Sequence, residues 1–71
     1  MNHYSEQYLT QLSDLYLGKT IKIIHMDDKD EGHLYNGKTG KVTYIDSQGQ
    51  LFGDWGGLAI APEVDTFVVL D

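Results

Sequence analysis

All eight glycines and the only proline of this 71-residue chain fall between positions 18 and 62. They cut that stretch into runs of β-branched and aromatic residues too short for helices of ordinary length. "TIKIIHM" (20–26), "KVTYID" (41–46), "QLFGDW" (50–55), "LAIA" (58–61) and "TFVVL" (66–70) read as five strands. The turns between them are signalled by Asn36-Gly37, "SQG" (47–49), Gly56-Gly57 and Pro62. The alternation of the first strand slips at Ile23-Ile24, which predicts a bulge or a strand covered on both faces. In the third, Leu51, Gly53 and Trp55 alternate with Phe52 and Asp54, and Gly53 permits a sharp bend or a close backbone approach.

Residues 5–17, "SEQYLTQLSDLYL", follow the other periodicity. Tyr8, Leu9, Leu12, Leu15 and Tyr16 form one apolar stripe, Ser5 is placed to cap the helix, and Gly18 to end it. One helix followed by five short strands predicts a mainly β fold, a small five-stranded barrel. The length suits one domain, 1–71, with the helix at 5–17 and the barrel over 19–71. Without cysteine there is no disulfide to staple it, so the apolar residues must form one efficient core. Val42, Ile45, Leu51, Trp55, Leu58, Ile60 and Phe67 are the expected members. The N-terminal stretch has no continuous apolar run, so neither a signal peptide nor a membrane span is expected, and a cytoplasmic location fits.

Eleven acidic residues against five lysines give a formal charge of −6, and there is no arginine. Phosphate contact needs clustered cations and base reading leans on bidentate arginine, so the composition weighs against nucleic-acid binding and toward basic surfaces. The acid is concentrated in "HMDDKDEGH" (25–33), with Asp27, Asp28, Asp30 and Glu31. An EF-hand register from Asp28 puts Gly32 at position 5 and Thr39 at position 12, and one from Asp27 puts Lys29 at position 3, so both fail. His25 and His33 lie in no compact ligand motif, and no metal or cofactor is expected. Ser5, Ser13 and Ser47 sit in no nucleophile elbow, so no catalytic residue is assigned. Adjacent like charges predict a solvated loop held extended by repulsion, mobile alone and ordered only against a basic surface. Large aromatics in a small barrel are first of all core, which is the reading for Trp55 and Phe67. Tyr35, at the end of the acidic loop, and Phe52, on the face of Asp54, are the aromatics placed for exposure. Together with Asp27, Asp28, Asp30, Glu31 and Asp54 they make the expected binding residues.

The segments "GKTIKIIHMDD", "GKTGKVTYID", "GQLFGDWGGLAI" and "PEVDTFVVL" carry a further signal. Over residues 18–70 the chain resembles a small family of SH3-like barrel proteins of unknown function, common on phages and mobile elements of Gram-positive bacteria. That family shows a strand ending in Met-Asp/Glu-Asp, a Gly-x-x-Gly-x-Val element, a Gly-Gln-Ile/Leu strand ending in Trp, and a final Asp-x-Phe-x-Val. Its loop after the acidic pair is usually proline-rich, whereas "KDEGHLYN" has no proline. The resemblance implies an SH3-like barrel and a mobile-element setting, and brings no established catalytic residues. The combined expectation is a non-enzymatic protein-binding module that docks acidic and aromatic residues on a basic partner. An inhibitor of a host defence nuclease, of the anti-CRISPR kind, is its specific form. The alternative is a nucleic-acid-binding or regulatory barrel using Lys19, Lys22, Lys38 and Lys41. A small enzyme or cation-binding protein ranks third.

Overall fold

In the computed structural model, which describes residues 5–71, the chain enters through a capped helix, α1, Glu6–Tyr16. The Ser5 hydroxyl accepts the Tyr8 N–H at 3.2 Å, and Glu6 stands in the first turn, where the helix dipole favours an anion. The helix buries Leu12 and lays Tyr16 against the core, with the Tyr16 ring edge-on to Phe67 at 5.2 Å. Leu15, predicted on the same stripe, is exposed. Gly18 follows with φ +81, a conformation glycine adopts without steric cost. The Gly18 N–H then donates to the Val42 carbonyl at 2.8 Å, and the Val42 N–H to the Lys19 carbonyl at 2.9 Å. These two bonds fasten the end of α1 to the sheet.

The remainder is an open, four-stranded antiparallel sheet in the order β3-β2-β1-β4. The strands are β1 (Thr20–His25), β2 (Thr39–Ile45), β3 (Leu51–Gly53) and β4 (Thr66–Val69), with a 3-10 turn at Gly32–Tyr35 between β1 and β2. Ile21 and Ile23 alternate inward from β1 while Lys22 points out. The slip at Ile23-Ile24 is a bulge: Ile23 pairs with Phe67 but His25 with Thr66, and Ile24 is left exposed. A second irregularity lies between Val42 and Tyr44, opposite Gly53 and Phe52.

Strand β3 stops at Gly53, where a β-carbon would collide with the Lys41 carbonyl and the Trp55 ring. The chain turns there and Trp55 folds back as a lid over the core, its indole Nε1–H donating to the Leu58 carbonyl at 2.8 Å. Asp54 is therefore in a turn, not on the strand face it was expected to share with Phe52.

Where five strands were expected, 58–61 pairs only through an isolated bridge, Leu51 with Ile60, closed by bonds of 2.8 and 2.9 Å. The ladder does not extend because the next residues that would face β3 are Pro62, which has no N–H, and Leu58, whose carbonyl accepts the Trp55 indole; the Ala61 N–H between them points away and is taken by the Asp65 carboxylate at 2.7 Å. Of the expected core, Val42, Leu51, Trp55 and Ile60 are buried, and Ile45, Leu58 and Phe67 only half-buried. Ile21, Ile23 and Met26 complete the core. The molecule is a flat body of 31 × 30 × 16 Å.

Candidate functional site

The acidic stretch begins where β1 ends. Met26 is buried, which anchors the loop's entry, and the chain then surfaces with Asp27, Asp28, Asp30 and Glu31 all exposed. It is turned rather than extended. Asp28 Oδ1 accepts the N–H groups of Glu31 at 2.8 Å and Asp30 at 2.9 Å, and the Asp28 carbonyl accepts the Gly32 N–H at 3.0 Å. Like-charge repulsion between exposed carboxylates is weak in water, whereas a carboxylate over two N–H groups makes charge-assisted bonds, so the turn prevails. The Glu31 N–H, then that of Asp30, hold the Asp28 carboxyl below its ordinary value of 3.8, against a small opposing effect of burial. That is the direction opposite to the one a general acid needs.

A second carboxylate fixes the loop from outside. Asp65, just before β4, accepts the Asp27 N–H through Oδ1 and the Ala61 N–H through Oδ2, both at 2.7 Å. One half-buried side chain thus ties the acidic loop to the segment after Ile60. Sequence reasoning missed it, since Asp65 lies 38 residues from Asp27; its only trace is the Pro-x-x-Asp turn that places it.

Two open grooves flank the loop and share Asp27 and Asp28. One, of about 300 Å³, runs between them and His25, Lys29 and His33. The other, of about 260 Å³, has an aliphatic wall of Leu58, Ala61 and Val64 with Asp65 at its rim. Although both histidines border the first groove, among the described residues no three His, Asp or Glu side chains converge closely enough to hold a metal ion.

Tyr35, Phe52 and Asp54 line neither groove. Tyr35 is half-buried against the core, and Lys38 Nζ stands 5.3 Å from its ring centroid. Asp54 Oδ1 accepts the Lys41 N–H at 2.8 Å, beside the irregularity in β2, so its carboxylate is committed to the frame. Phe52 is half-buried beside its cross-strand partner Tyr44, with ring centroids 5.8 Å apart. Tyr44 is the exposed member of that pair, at 59%. Strand pairing alone would have pointed to it, but the irregularity beside it hides the register. Of the lysines, Lys22 and Lys41 are exposed diagonal neighbours on the outer face, since Lys41 pairs with Thr20 and Lys22 with Thr39. Lys38 is drawn to Tyr35, and Lys19 is half-buried at the helix end.

No helix among the described residues is long and apolar enough to cross a membrane. No curated protein and no solved structure matches the chain. A family model does, over residues 5–70, which takes in both α1 and all four strands. The chain belongs to the family described as Domain of unknown function (DUF4314).

Proposed function

We propose that the protein is a non-enzymatic binding module that docks on a basic protein surface through its acidic loop. The observation that carries this reading is the loop itself. Its exposed carboxylates stand on a backbone pinned from within by Asp28 and from outside by Asp65. A pre-ordered anionic loop gives up little conformational freedom on binding and steers a cationic partner toward it. The formal charge of −6 and the lack of arginine support the same partner. The frame is read as an SH3-like barrel, a reading supported by the strip of four strands extended by the Ile60 bridge. In a cytoplasmic, mobile-element setting, the specific form is an inhibitor of a nucleic-acid-processing enzyme of host defence. Its carboxylates would lie where phosphates otherwise do.

The structure-guided variant keeps Asp28 and neutralises the others, as Asp27→Asn, Asp30→Asn and Glu31→Gln. Wild type and variant are immobilised, bacterial lysate is passed over each, and retained proteins are identified by mass. The expected result is a basic partner retained by wild type and released by salt. Its association rate should fall about tenfold or more in the variant, as loss of steering does. A partner held equally by both proteins and insensitive to salt would refute the reading. Binding of labelled DNA or RNA that Lys22→Glu abolishes would favour the lysine face instead.

A further inference from the structure

The two edges of the sheet are finished differently. At β3, Leu51 gives both its backbone groups to Ile60. At β4 the hydrogen bonds run the other way. The Ile23 N–H donates to the Lys38 carbonyl at 2.8 Å, and the Ile23 carbonyl accepts the Gly37 N–H at 2.7 Å. Ile23 therefore spends its backbone on the β2 side, and the backbone N–H and C=O of its β4 partner Phe67 point away from the sheet, toward the free edge. Two residues on, Val69 opposite Ile21 does the same, while Leu70 bonds inward to the Thr20 carbonyl at 2.8 Å. Among the described residues none bonds the outward N–H and C=O of Phe67 and Val69.

The devices that blunt such an edge are absent from it. The stretch 66–70, "TFVVL", has no lysine, no proline and no charge. Val68, Val69 and Leu70 are exposed at 45%, 39% and 54%, and the bulged Ile24 on neighbouring β1 adds another exposed aliphatic side chain. In a chain of charge −6 this is an uncharged stretch, and the carboxylates that bound it, Asp65 and Asp71, are bonded back to the N–H groups of Asp27, Ala61 and Thr20, so it offers a basic partner little and opposes a second copy least.

We infer that β4 is a self-association edge, at which two copies of this chain pair antiparallel about a two-fold axis at Val68. That register satisfies every outward group. The Phe67 of one copy exchanges both bonds with the Val69 of the other, about four bonds in all from two donors per copy. It also sets an aromatic opposite a β-branched residue on the inner face and Val68 beside Val68 on the outer face, both favourable cross-strand pairs. A contact of one short strand per copy falls below the roughly 1,200 Å² of a standard interface, so the dimer is weak and concentration-dependent.

Sedimentation equilibrium across a dilution series reads the result. Wild type should move from 8.0 kDa toward twice that mass as concentration rises. Val68→Lys, which sets two ammonium groups together at the axis, should stay at 8.0 kDa while melting like wild type, and Val68→Thr should still associate. In wild type, amide exchange at Phe67 and Val69 should slow with concentration, a signature independent of any variant. Wild type that remains a single 8.0 kDa species at about millimolar concentration overturns the inference and leaves the edge to a strand of another protein. Association that Val68→Lys leaves intact, or exchange at those amides that ignores concentration, overturns it equally.

Discussion

The Asp28 carboxylate accepts two backbone N–H bonds through one oxygen, and the turn depends on its charge. Its folded-state pKa is lowered by those bonds. The stabilisation is therefore present above the unfolded value of 3.8 and is lost as pH falls through the lower folded value. Asp28→Asn keeps an oxygen acceptor but not the charge. Urea midpoints of the two proteins should differ near neutrality and converge as pH drops below the ordinary carboxylate range. A gap of constant size would mean that charge is not what holds the turn. In the sequence, Asp28 was one of four equivalent acids. Nothing in residue type separates an acid that closes a turn from one that faces a partner, because the difference lies in local backbone direction. Asp54 was misjudged for a related reason. Strand alternation put it beside Phe52, but the close approach at Gly53 ends the strand two residues before Trp55, and the Asp54 carboxylate turns back to the Lys41 N–H.

At the scale of elements, local signals were legible and long-range ones were not. The cap at Ser5, the stop at Gly18 and the slip at Ile23-Ile24 became the N-cap, the positive-φ turn and the bulge, because each is decided within a few residues. The element boundaries moved by one residue at each end of α1. The strand at 58–61 shrank to a bridge because Pro62 has no N–H on one side of Ile60 and the Trp55 indole claims the Leu58 carbonyl on the other, while the Ala61 N–H between them goes to a side chain four residues onward. That same side chain, Asp65, joins two elements, and its removal tests the join. Asp65→Ala leaves the N–H groups of Asp27 and Ala61 without their acceptor, which should lower stability by about 1–3 kcal/mol. Amide exchange at both positions should accelerate together. If only one responds, the loop and the turn are not held as a unit.

For the whole molecule, small size sets the terms. A 71-residue chain carries on the order of 4–10 kcal/mol of stability, and here it rests on one small cluster of buried side chains. Trp55→Ala should cost about 3–5 kcal/mol, as large aromatic truncations in cores do. That is enough to leave the variant partly unfolded at ordinary temperature. Circular dichroism against urea measures it, and a midpoint close to wild type would mean that Trp55 is not the lid described. The tryptophan has another consequence. It is the only one in the chain, it is 3% exposed, and its indole N–H is bonded to a carbonyl. Its ring touches the turn after β3 and reaches across to Gly40 in β2. The protein thus carries an intrinsic optical reporter at the junction of its segments. Its emission colour and lifetime follow the closure of the fold without any attached dye.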